Sequence, residues 1–155
     1  MRIATLAVAL LLTAGCTKTV NVETDPKTGR TDVDVQPPGP EDWTGTLSAV
    51  GGAGIIGSAT GTTATNKTTI TVNIAGGKAG DSLPWHVHEG KCGDANPPIV
   101  GDAAAYAPLV VGANGTATGT ATINVKLNEA GSYIVNVHAS PTNLATIVSC
   151  GAFGD

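Results

Sequence analysis

The chain has 155 residues and a formal net charge of −4, with 13% charged and 3% aromatic side chains. That length holds one domain once a leader is set aside, and no basic stripe with stacking aromatics exists to hold nucleic acid. No glycine-rich phosphate loop precedes a helix, and no serine or free cysteine is spaced beside a histidine and a carboxylate as a nucleophilic unit needs.

Residues 1–15 have the shape of a secretory leader: Arg2, an apolar run over 3–12, then small residues before Cys16. The run is far short of the roughly 20 residues of a membrane span. Leu12-Thr13-Ala14-Gly15-Cys16 resembles the lipobox of bacterial lipoproteins, with Thr13 where that family usually carries leucine. The resemblance implies removal of residues 1–15, lipidation of Cys16, and membrane attachment through that lipid alone. Thr17 and Lys18 stand where an inner-membrane lipoprotein carries aspartate. By the same resemblance the protein belongs to the cell envelope, on the outer membrane, facing the periplasm or the cell surface. Residues 16–42 are polar and end in Gln36-Pro37-Pro38-Gly39-Pro40, which reads as a flexible stalk. Val20-x-Val22 and Val33-x-Val35 could pair, but two lone strands are marginal in water, so disorder is expected there.

From Trp43 to Asp155 the patterning is β. Alternation predicts strands over 43–50, 58–63, 66–75, 83–89, 109–111, 116–127, 132–139 and 145–150. Glycine-rich turns fall at 51–57 and 76–80, and residues 89–106 form a long irregular stretch containing Pro97-Pro98. Asn114-Gly115 is the strongest short hairpin signal. A loop is expected at 140–144. About eight short strands with frequent turns and no helical period predict an all-β domain, either a Greek-key, immunoglobulin-like sandwich or a flattened eight-stranded barrel.

The chain's three histidines fall on two of these strands. Strand alternation puts His86 and His88 on one face, with Trp85 in the core beneath and Val87 beside it. His138 lies with Asn136, opposite Tyr133, Val135 and Val137. Two imidazoles at i, i+2 and a third from a distant strand could begin a metal site; the alternative is three outward-facing sheet residues without a ligand. Export makes a Cys92–Cys150 disulfide the default for this even pair. Residues 43–155 carry Lys67, Lys78, Lys91 and Lys126 and no arginine, against six carboxylates.

Trp43-Thr44-Gly45-Thr46-Leu47, the strand over 69–76, Trp85-His86-Val87-His88-Glu89, Asn114-Gly115-Thr116-Ala117, Tyr133 through His138, and Ser149-Cys150-Gly151 together resemble the copper–zinc superoxide dismutase family, in order and over most of 43–153. The resemblance implies a barrel of that type, three copper ligands in His86, His88 and His138, and a disulfide between Cys92 and Cys150. The family's bridging histidine has no counterpart in residues 93–106. Its further zinc ligands are also missing, so no zinc site is expected. Ile147 replaces the family's anion-guiding arginine. Val135-Asn136-Val137-His138 is similar to the late strand of bacterial CHRD-type domains, although their closing motif is absent.

Three imidazoles suit one copper ion, with water or Asp102 completing the shell. Without the bridging histidine, proton delivery falls to water or a group such as Glu89, and the net negative domain offers no positive funnel. The expected function is therefore copper binding with at most weak superoxide dismutation. The alternatives are a non-catalytic CHRD-like binding module and a periplasmic copper carrier. No protein partner is specified, and a homodimer is left open.

Overall fold

A computed structural model describes residues 20–24, 28–35 and 39–154. The expected leader over residues 1–15 and Cys16, the residue expected to carry lipid, lie outside the described residues. The chain divides into two compact units, Met1–Gly39 and Pro40–Asp155. In the first, β1 (Val20–Thr24) pairs antiparallel with β2 (Thr31–Val35), Val22 opposite Val33. Disorder is the expectation for this stretch; the described residues instead form a hairpin, its two valine–threonine strands matching β propensity.

The second unit carries β3 (Glu41–Ala49), β4 (Ile56–Ala64), β5 (Lys67–Ala75), β6 (Ser82–Leu83), β7 (Trp85–Glu89), β8 (Leu109–Val110), β9 (Thr116–Ile123), β10 (Tyr133–Ser140) and β11 (Asn143–Phe153). Among the described residues there is no α-helix, only a single 3-10 turn at Ala103–Ala105. Seven strands form one antiparallel sheet in the order β7-β10-β11-β3-β4-β5-β9, curled into a half-barrel. The short β6–β8 pair lies against it, β8 beside β9 and β6 beside β10. The all-β class with one disulfide is thus the one the patterning predicts.

Period-2 alternation builds the core. Trp43 and Leu47 on β3, Ile70, Val72 and Ile74 on β5, and Ala121 and Ile123 on β9 point inward. Many of their neighbours along each strand are threonines, and Thr44, Thr60, Thr71 and Thr120 stand in register across four strands. Few aromatics are available, and they cluster. Trp43 packs on Phe153 at 6.0 Å and on Tyr133 at 5.7 Å, while Trp85 meets Tyr106 edge-on at 5.1 Å. Where β11 crosses β3, a Cβ on Gly151 would collide with the Thr46 carbonyl oxygen, and one on Gly45 with that of Ala152. Two missing side chains therefore let the strands approach closely at the bend.

Three local features depart from the sequence reading. Pro84 has no N–H to give a ladder, so the predicted 83–89 strand breaks there into β6 and β7, which pair with different partners. Asn114-Gly115 does make a tight turn, with the Gly112 N–H donating to Thr116 O at 2.9 Å. The flanking strands do not pair with each other, however: β8 bonds to β6 and β9 to β5. The expected 140–144 loop shrinks to a tight turn, and the last strand runs on to Phe153, opposite Tyr133.

The irregular stretch after β7 is tied down twice. Cys92 is bonded to Cys150 on β11, Cα–Cα 6.0 Å, across 58 residues of sequence. Further on, the Glu89 N–H donates to Pro98 O at 3.0 Å and the Val100 N–H to Val87 O at 2.9 Å. Residues 98–100 thereby cover the edge of β7 that the sheet leaves unpaired.

Candidate metal centre

Register decides which side chains meet. Val135 sits opposite Val87 and Val137 opposite Trp85, all four fully buried in the core. The opposite face of the same two strands carries His86, His88, Ile134, Asn136 and His138, with Asn136 across from His86 and Ile134 across from His88. A bulge in the β10–β11 ladder passes from Val137↔Ser149 to His138↔Ile147. The His138 N–H donates to Pro84 O at 2.8 Å. The break at Pro84 and the bulge together fix the backbone at His138, and bulges of this kind re-aim side chains.

The three imidazoles are not outward-facing. His86, His88 and His138 are 8%, 6% and 5% exposed. Residues 94–99 and 144–147 roof the face that alternation alone would leave to solvent. One ring nitrogen from each histidine lies within 4.8 Å of the other two, a group that could hold a metal ion.

Backbone carbonyls set the tautomers. His88 Nδ1 is 2.8 Å from Pro97 O, and His138 Nδ1 is 2.6 Å from Leu144 O. A carbonyl only accepts, so both Nδ1 atoms carry the proton and both Nε2 atoms hold lone pairs. Orientation of ligating histidines by such outer contacts is a general feature of metal sites. His138 Nε2 is 3.1 Å from His86 Nδ1 and accepts its proton, a bond that an ion taking this place must displace. His88 Nε2 is buried without a hydrogen-bond partner. An unsatisfied buried acceptor is costly, and an ion at this point satisfies it.

Electrostatics favours the neutral rings that a metal needs. Desolvation, reinforced by the proximity of His138 and His88, lowers the His86 pKa to about 4. Burial also lowers His88 and His138, outweighing the carbonyl bonds from Pro97 and Leu144 that pull the other way. At neutral pH the site offers lone pairs rather than three like charges.

Tyr106 backs the centre. Its ring stands edge-on to His86 at 5.4 Å, and its hydroxyl donates to Val100 O at 2.7 Å. Burial pushes its pKa up to about 12. Trp85 is fully buried and its indole N–H donates to Ala107 O at 2.9 Å, a core residue as expected. Asn136 and Asp94 line the cavity before the histidines, and Asp94 accepts from the Lys91 N–H at 2.7 Å.

Asp102 does not complete the shell. It is exposed and caps the 3-10 turn, accepting from the Ala104 N–H at 2.9 Å. Glu89 is exposed at the end of β7 and does not line the cavity. Sequence reasoning missed the Pro97 and Leu144 carbonyls, which carry no side-chain signature. The one available hint for the first was Pro97-Pro98 in the irregular stretch.

No family model matches the chain, and no curated protein matches it. Fold and site define a disulfide-closed, all-β domain with a buried three-histidine group able to hold a metal ion.

Proposed function

We propose that this chain is an exported, lipid-anchored domain of the copper–zinc superoxide dismutase type, reduced to one copper ion held by His86, His88 and His138. The observation that carries this reading is the meeting of three nitrogens within 4.8 Å of one another, two of them on rings whose far nitrogen is fixed by a carbonyl. Nitrogen donors suit copper, zinc and nickel, and among divalent ions copper binds a given site most strongly. A bound copper ion would supply one-electron redox chemistry. The chain's residues orient the rings, keep them neutral and roof them from bulk water. Superoxide dismutation is weak at most, because no cation lines the cavity among the described residues to draw in an anion. That same observation favours a second reading, a copper carrier of the envelope.

Copper titration of the exported protein tests the first reading against His86→Ala, His88→Ala and His138→Ala. One equivalent bound tightly by wild type, and far more weakly by each variant, is expected. Equal, weak uptake by all four proteins contradicts it. Superoxide decay over the loaded wild type, set against the triple variant, separates slow enzyme from carrier.

A further inference from the structure

The cavity before the three histidines has a volume of about 380 Å³, an order of magnitude above the roughly 30 Å³ share of one water molecule. Much of its rim reaches solvent: Asp94, Asn96, Ile99 and Leu144 are exposed. Besides the histidines, Asn136 is the one buried residue among the described lining residues, at 5% exposure. No side-chain hydrogen bond among the described residues engages its carboxamide. Buried polar groups find partners in native structures, and leaving one unpaired is costly. The partner of this amide therefore comes from the cavity it lines.

Register says where that partner sits. Asn136 stands opposite His86 on β7 and two residues before His138 on β10, on the face that carries all three imidazoles. Directly opposed Cβ atoms on paired strands lie about 5 Å apart. An ion held by three neutral rings keeps its whole positive charge, and such an ion is the largest local charge of its site. It draws anions, whereas Asp94 is exposed and screened by water. We infer that Asn136 Nδ2 donates a hydrogen bond to a small anion seated at the open position of that ion. The site then selects anions that carry a second acceptor oxygen beside the donor atom, as a carboxylate does. The assignment rests on a copper ion standing at the three histidines. A carboxamide offers two N–H donors and no charge, so Asn136 adds direction to an attraction that the ion supplies.

The test uses the copper-loaded full chain, titrated with formate by visible and electron paramagnetic resonance spectroscopy. Formate offers one oxygen to the ion and the other to Asn136. The variants are Asn136→Leu, close to asparagine in volume, and Asn136→Val, which suits a strand; neither side chain donates. Wild type is expected to bind formate about tenfold more tightly than either variant, the worth of a hydrogen bond to a charged acceptor. The control probe is 1-methylimidazole, which is neutral and has no acceptor left once its nitrogen coordinates. It is expected to bind all three proteins alike, and each of them takes up one equivalent of copper. Equal formate affinity in wild type and both variants, or no formate binding by wild type, overturns the role of Asn136 and leaves the copper site standing. So does a parallel loss of both probes, or of copper itself, in the two variants. A wild-type protein that takes up no copper overturns both.

Discussion

Replacing Cys92 and Cys150 together by alanine removes a link that closes 58 residues of chain. The chain-entropy estimate for a loop of that length is about 4 kcal/mol, a large share of a domain's usual 5–15 kcal/mol. At the size of the Pro40–Asp155 unit, that loss corresponds to a fall in Tm of roughly 15 °C. Geometry adds a local term to this global one. The bond anchors the segment whose residues 98–100 cover the edge of β7, and whose Pro97 carbonyl orients His88. Denaturant unfolding of the oxidised protein and the double alanine variant gives the global loss. Hydrogen exchange then reads the Glu89 and Val100 amides one at a time. We expect a loss of about 4 kcal/mol, with those two amides losing protection beyond what the global change explains. A loss below about 1 kcal/mol, with both amides still protected, refutes the reasoning, because closing so long a loop cannot then be what holds this region.

Gly151→Ala drives a methyl group against the Thr46 carbonyl oxygen, where neither backbone can easily give way. It should destabilise the domain by about 1–3 kcal/mol, and an unchanged unfolding midpoint contradicts the close crossing of β3 and β11. For the metal-free protein, the His86 pKa lies at about 4 against 6.5 unfolded. The unfolded chain therefore binds more protons between those values. Stability is complete above pH 6.5 and is lost as pH falls towards 4, by up to about 3 kcal/mol from this ring alone. Urea midpoints at pH 7 and pH 4.5 should differ more for wild type than for His86→Asn, and identical slopes sink the prediction. Tyr106→Phe removes the hydroxyl that donates to Val100 O and should cost about 1 kcal/mol without abolishing copper uptake; loss of copper binding would give the ring a larger role than backing His86.

The strand content was legible because inward positions such as Trp43, Leu47, Ile70 and Val72 alternate with threonines. The shared face of His86 and His88 followed from the same period. What alternation could not show is that this face is roofed. That depends on where residues 94–99 and 144–147 come to rest, set by a disulfide, two edge hydrogen bonds and a tight turn rather than by any local pattern. The Asn114-Gly115 turn was legible and its strand pairing was not, since a turn fixes chain reversal while partners are chosen by the whole sheet. Pro84 stood inside the strand predicted over 83–89; alternation showed neither the break there nor that its carbonyl would take the His138 N–H. Asp102 looked like a free carboxylate until its turn engaged it.

The account stands most directly on the coordination of copper added to the intact chain. Pulsed electron paramagnetic resonance and X-ray absorption on a one-to-one sample should count three imidazole nitrogens at about 2 Å, and only two after His138→Ala. Copper held by one imidazole or none, or a spectrum indifferent to His138→Ala, contradicts the claim that two strands bring three nitrogens to a single ion.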